Sequence, residues 1–264
     1  MAILTTSTAW LLTTTLNSPL VYASGQQGTI ALQLRPGFNS GDSTWYQIFM
    51  YWTGVGNDRT EFLRYSDNNV YIGAAALTNT RVTFADTGLF TSGQWSHWAL
   101  SWTIGGTQFA YRNGIQQGSG ACTNAVTQHD HFGIGVNNGG AAPSASGYQD
   151  FALWNVALSP AEIYALAHGA RPNQIRPRQL LSGFPMDGYQ GNEMSPGASG
   201  ALIADRSIYN LNQSTSSTGI SFIPGPPWIS AAPILPALPD PKSVMPPQFM
   251  VPPPPFILMP QIVM

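Results

Sequence analysis

Gly147–Gly169 reads GYQDFALWNVALSPAEIYALAHG. It is a strand, a turn and one short helix. Tyr148–Val156 alternates, with Phe151, Leu153 and Asn155 on one face and Ala152, Trp154 and Val156 on the other. The helix start is explicit. Ser159 can cap the free N–H groups, Pro160 suits the first helical position, and Glu162 can reach back to the cap. Ile163, Leu166 and Ala167 then share a face. Gly169 fits a left-handed C-cap and Pro172 blocks continuation, so the helix should span about 160–168.

Almost everything else before residue 170 reads as short strands. Ala9–Leu12 and Gly28–Leu34 come first, with Ile30, Leu32 and Leu34 on one face. Trp45–Thr53 is densely aromatic on both faces, as expected of a strand buried between two layers. Glu61–Tyr65, Asn69–Ala74, Arg81–Phe84 and His97–Thr103 follow. Gly105-Gly106 and Asn113-Gly114 are hairpin turns around Gln108–Arg112, with Ile115–Gln117 and Phe132–Val136 beyond. Short strands at roughly ten-residue spacing, with one helix, predict an all-β fold: an antiparallel sandwich of the jelly-roll kind. Leu180–Phe184 and Gly219–Ile223 are expected to return to it, giving a domain over residues 1–223.

Residues 224–264 differ in kind. They are rich in proline and aliphatic side chains and nearly free of charge, which predicts an extended arm. Trp228, Ile234, Leu235, Leu238, Phe249, Met250, Phe256, Ile257, Leu258 and Met259 would make it a partner-binding segment, because exposed apolar surface of this extent marks contacts; the other reading is that the arm wraps back over its own sandwich.

Composition narrows the function classes. Of 264 residues, 43% are hydrophobic and 8% charged, against about 25% charged in an ordinary soluble domain. Lys242 is the single lysine and the net charge is -2. Arg171, Arg176 and Arg178 form the one basic cluster, too small for a nucleic-acid surface. One cysteine, Cys122, excludes an internal disulfide framework and is expected to be a small buried strand residue. The sequence given starts without the basic and apolar pattern of a signal peptide, and no stretch has the length of an apolar membrane span.

Gly93-Gln94-Trp95-Ser96-His97-Trp98-Ala99, Ala110-Tyr111-Arg112-Asn113-Gly114 and Tyr148–Gly169 together resemble the laminin-G-like domains of the concanavalin A-like lectin/glucanase superfamily. The resemblance covers about residues 1–170. Ala204–Asn210 is similar to a turn that many relatives carry before the first strand, which implies a circular rearrangement. That superfamily includes hydrolases, lectins, adhesion modules and virion proteins, so the residues must choose.

A glycoside hydrolase needs two carboxylates facing across a cleft. Only Glu61, Glu162 and Glu193 are glutamates, none in such a spacing, and Glu162 is taken by the helix cap. Asp150 matches the family's acidic position and is expected to make a strand-end turn or a backbone contact. His129-Asp130-His131 offers too few ligands for zinc. Asp86, Asp130, Asp150, Asn137 and Asn138 could each give oxygens to calcium but have no loop spacing. No catalytic residue, cofactor or metal ligand is therefore expected. A lectin needs solvent-facing aromatics; Trp45, Trp52, Trp95, Trp98 and Trp102 are available, and strand tryptophans are ordinarily core. His97 is expected to be a hydrogen-bonded strand histidine.

These readings converge on a non-enzymatic structural or decoration protein of a bacteriophage-like virion, assembled in the host cytoplasm. Its arm would contact other subunits, such as a capsid or tail protein, and the chain would be a homo-oligomer without nucleic-acid or membrane partners. The alternative is a carbohydrate-binding adhesion module touching surface glycans.

Overall fold

The computed structural model describes residues 25–52, 59–74, 80–123, 129, 131–137 and 144–184, and the backbone of a few short strands outside them. The chain divides into two compact units, Met1–Ala231 and Ala232–Met264. All described residues belong to the first. The arm and its ten named partner-binding residues lie outside the described residues, as does Ala204–Asn210.

In chain order the strands are β1 (Ala2–Leu4), β2 (Leu11–Thr13), β3 (Gln27–Arg35), β4 (Tyr46–Trp52), β5 (Arg59–Arg64), β6 (Asn69–Gly73) and β7 (Val82–Ala85). Then come β8 (Ser96–Thr103), β9 (Gly106–Arg112), β10 (Ile115–Cys122), β11 (His131–Ile134) and β12 (Gly147–Trp154). Helix α1 (Pro160–Ala167) follows, with a 3-10 turn at Pro172–Gln174, β13 (Leu180–Phe184), β14 (Leu202–Ile203), β15 (Gln213–Ser214) and β16 (Ser221–Ile223). One sheet runs β10-β9-β8-β3-β12-β1-β16, with β13 also paired to β12. The second runs β2-β11-β4-β5-β6-β7, and β14 pairs with β15 apart from both. All strand pairs are antiparallel. The fold is the expected β-sandwich.

Alternation decides what each layer buries. Ile30, Leu32 and Leu34 of β3 point between the sheets with Phe49, Phe62, Trp98, Leu100, Phe151 and Leu153. The opposite parity, Ala31, Ala99, Ala152 and Trp154, faces outward and is covered by Leu158, Ile163 and Leu166 from α1 and its approach. A row of alanines lets the helix come close to the sheet, and Trp154 fills the space beside it. Strand β12 thus has both faces buried, and its sequence period appears as two cores. It ends at Trp154, so Asn155 is exposed and outside the strand rather than on the Phe151 face.

The helix forms as its sequence dictates. Ser159 Oγ accepts from the Glu162 N–H at 3.3 Å, and the Ser159 N–H donates to Glu162 Oε2 at 2.8 Å. Gly169 takes φ +100°, and the Ala170 N–H closes onto Ala165 O at 3.0 Å. Cys122 is buried, and burial pushes its thiol up to about 11, as an inert core cysteine requires.

Two further strand readings need correction. Asp150 is not at a strand end. It sits in a β-bulge inside β12, at φ +50°, where the register to β3 shifts between Gln149 and Ala152. Strand β10 runs to Cys122 and not to Gln117, because its Gly-Ser-Gly run pairs with β9 beyond a bulge between Gln116 and Gly118. Glycine is needed there: a Cβ on Gly118 would lie 2.9 Å from Val82 of the facing sheet.

Candidate functional site, an aromatic patch over a buried arginine

The tryptophans separate cleanly by place. Trp52, Trp98 and Trp102 are core, and Trp95 is half-buried. Trp45 is 37% exposed, immediately before β4. Its neighbour is Tyr65, 43% exposed, immediately after β5. The two ring centroids are 5.7 Å apart, and Tyr65 meets the Tyr71 ring of β6 edge-on at 6.2 Å. Three aromatic rings therefore gather at one end of the six-stranded sheet.

Arg64 holds this patch from beneath. The last residue of β5, it is fully buried. Its Nε donates to Asp86 Oδ2 at 2.7 Å, Nη1 to Asp42 Oδ1 and to Thr44 O, and Nη2 to Asn68 Oδ1 at 2.6 Å. One guanidinium thus ties together the β3–β4 loop, the β5–β6 turn and the loop after β7. The turn is further fixed by Asn68 at φ +61°, whose Oδ1 accepts from the Ser43 N–H at 2.9 Å. Trp45 and Tyr65 flank these clamped segments, so the backbone that carries their rings is anchored on both sides of the patch.

The rim is acidic. Asp67 accepts from the Tyr71 hydroxyl at 2.6 Å and the Asn69 N–H at 3.0 Å. Slight burial would raise its carboxyl, but these donors outweigh that and hold it below the usual range. The same bond raises the Tyr71 phenol. Asp42 accepts from the Tyr46 hydroxyl at 2.8 Å, and burial, reinforced by that bond, raises Tyr46. The rim carries Asp42 and Asp67 with the Tyr46 and Tyr71 hydroxyls; Arg64 is buried, and the Arg81 guanidinium, paired with Glu61, lies 5.7 Å from the Tyr71 ring centroid.

The other acidic side chains among the described residues are engaged elsewhere. Glu61 is buried between Arg59 at 3.1 Å and Arg81 at 2.6 Å; burial pushes its carboxyl up and both arginines oppose that. Asp150 receives Arg171 Nη1 on both oxygens, at 2.9 and 3.0 Å. Glu162 pairs with Arg176 at 2.5 Å besides capping the helix. No two of these carboxylates are left free to face each other across a cleft. Asp86 and Asp150, offered by the sequence as calcium oxygens, each answer an arginine. His129 is buried, Asn137 is largely so, and Asn138 and the side chains of Asp130 and His131 lie outside the described residues. Among the described residues no helix is long and apolar enough to cross a membrane.

The profile of the concanavalin A-like lectin/glucanases superfamily matches residues 6–164. The chain belongs to that superfamily. A comparison with curated proteins finds no match. Among solved structures, a "putative carbohydrate binding protein" of Bacteroides ovatus is similar at 16% identity and a TM-score of 0.57, over 87% of this chain and 62% of that one. The receptor-binding domain of botulinum neurotoxin D is similar at 14% identity and a TM-score of 0.50, over 63% of this chain and 43% of its own. The chain thus spans less than half the length of the neurotoxin structure. At such identities the likeness is one of fold. Within the superfamily's sandwich, the Trp45–Tyr65–Tyr71 patch is a feature of this chain's own residues.

The sequence singled out Trp45 but could not separate it from Trp52, one strand length away. Tyr65, Tyr71 and Arg64 were not singled out. The Asp-Asn-Asn turn at residues 67–69 was the available signal: a tight turn at which flanking aromatics stop being core.

Proposed function

We propose that this domain is a non-enzymatic lectin-like module that holds a neutral glycan against Trp45, Tyr65 and Tyr71. The carrying observation is a contrast. The described carboxylates are spent on arginines, phenols and a helix cap, while three aromatic rings stay together at the surface over a rigid frame. Aromatic faces accept the apolar C–H faces of sugars, and the Asp67 carboxylate can accept from sugar hydroxyls. An anionic rim disfavours sialylated or sulfated ligands by like-charge repulsion. The test is a glycan array on the full chain. Neutral glycans should bind and their sialylated counterparts should not, and Trp45→Ala should weaken binding about tenfold or more. Binding unaffected by Trp45→Ala overturns this reading.

The setting we propose is a bacteriophage-like particle, with the module displayed as a structural or decoration component. What supports it is composition: 8% charged residues, one lysine, and a proline-rich apolar segment after residue 223 that requires a covering partner. Removing residues 225–264 should leave a folded sandwich that no longer co-sediments with particles. Normal attachment of the truncated chain refutes this setting and leaves the glycan reading standing.

A further inference from the structure

The outer face of the eight-stranded sheet carries a second concavity, away from the aromatic patch, which belongs to the other sheet. It has a volume of about 280 Å³, just below the roughly 300–1,000 Å³ of small-molecule sites. Its floor is the outward parity of three adjacent strands: Ser101 and Thr103 of β8, Thr107, Phe109 and Tyr111 of β9, and Gln116 of β10. Ser101 lies directly across from Phe109, and Tyr111 across from Gln116. Its wall is the segment between β12 and α1, at Ala157, Leu158 and Pro160.

That wall is built into the sheet. Thr29 of β3 is fully buried; its hydroxyl donates to Val156 O at 2.8 Å and accepts from the Leu158 N–H at 2.9 Å. Gln27 Oε1 accepts from the Ala157 N–H at 3.4 Å. The capped start of α1 follows at once. The concavity is therefore preformed. It does not wait for a ligand to order a loop.

Its chemistry is specific. Two aromatic rings, Phe109 and Tyr111, lie in the floor, and hydroxyl and amide groups surround them. Burial raises the Tyr111 phenol, and the nearby Ser101 hydroxyl opposes that. Among the described residues no charged side chain lines the site. A charged ligand would lose its hydration there with no counter-charge to replace it. A neutral ring bearing several hydroxyls can cover Phe109, the more open of the two rings, and exchange hydrogen bonds with Thr103, Thr107 and Gln116. We infer that this groove is a second binding site, for one neutral sugar-sized polyhydroxyl ring, independent of the Trp45 patch. With two sites on different sheets, one domain can bridge two glycan chains or two arms of one glycan, and its avidity would exceed either site's affinity.

Saturation-transfer NMR on the full chain tests this, with glucose, galactose, mannose and N-acetylglucosamine as neutral probes and glucuronic acid as the charged one. In the Trp45→Ala protein at least one neutral sugar should still give transfer, and this remaining transfer should disappear when Thr107→Trp, which fills the mouth, is added and fall about tenfold when Phe109→Ala is added. Glucuronic acid should give none in Trp45→Ala. Thr107 is exposed, so the Trp variant is expected to keep the wild-type melting temperature; if it does not, Gln116→Ala, also at an exposed position, serves instead and should weaken transfer. No transfer from any neutral sugar overturns the inference. So does transfer abolished by Trp45→Ala alone, or transfer of the Trp45→Ala protein left unchanged when the groove variants are added, and either of those results leaves the Trp45 reading intact.

Discussion

Replacing Arg64 by alanine should destabilise the domain by about 3–5 kcal/mol, the range for breaking a buried ion pair from one side. Arg64 is fully buried and Asp86 is 2% exposed, so the variant strands a carboxylate away from water. Thr44 O and Asn68 Oδ1 lose their donor at the same time. The loss comes from the orphaned partner as much as from the missing attraction. Arg64→Met with Asp86→Leu should therefore be more stable than Arg64→Met alone, although Asp86 also accepts from the Gly41 N–H at 3.1 Å and recovery will be partial. Urea denaturation of the wild type, Arg64→Met, Asp86→Leu and the double variant reads the cycle. Equal stability of Arg64→Met and the double variant would show that the ion pair is not what holds these loops. Glycan binding at Trp45 should fall with Arg64→Ala even where the protein stays folded, because the segments beside Trp45 and Tyr65 lose their common anchor.

The second large effect belongs to His97, and it appears with pH. His97 is buried in the row that runs in register through Gln33 to Gln149 on the helix-covered face of the sheet. Neither ring nitrogen has a hydrogen-bond partner among the described residues. This corrects the expectation of a bonded strand histidine: the residues in register with it in the adjoining strands are neutral amides, and Asp150 in the same small void already holds Arg171. Burial pushes the imidazole down to about 3, with His168 adding to the shift. The unfolded chain binds this proton near pH 6.5 and the folded chain does not. Stability is thus unaffected above about pH 6.5 and declines as pH falls from there towards 3, by about 1.4 kcal/mol per pH unit, or about 2 kcal/mol at pH 5. His97→Gln should flatten this decline, read as the difference in unfolding free energy between pH 7 and pH 5. Parallel pH profiles for the two proteins would show that His97 takes up its proton in the folded state.

These two residues also mark where the sequence stops being readable. The capped helix is local: Ser159, Pro160, Glu162 and Gly169 declare it within eleven positions, and the structure forms it there. Strand β3 is nearly as plain, since one face meets the core and its period of two survives. Arg64 is different. Its carboxylates lie twenty-two residues away on either side, at Asp42 and Asp86, and only strand pairing brings them together. Trp45 and Trp52 bracket a strand whose described side chains are nearly all buried, so alternation carries no sign of which ring meets solvent. The bulge at Asp150 was hidden for a related reason. Its positive φ is imposed by register to β3, and the Asp150–Arg171 pair crosses from the sheet to the segment after the helix. The groove needs three strands and a loop at once, and no single stretch announces it.

The pairing of β16 with β1 rests on three rungs, Ala2 with Ile223, Ile3 with Phe222 and Leu4 with Ser221. Strand β16 has no neighbour on its other side among the described residues. Whatever the chain is tied to beyond residue 223, tension would enter the sandwich at that thin margin. Strand β12, gripped along both flanks, would bear such a pull far longer. Under such a load β16 would peel from β1 first and lengthen the chain, and the rest of the sandwich would stay folded.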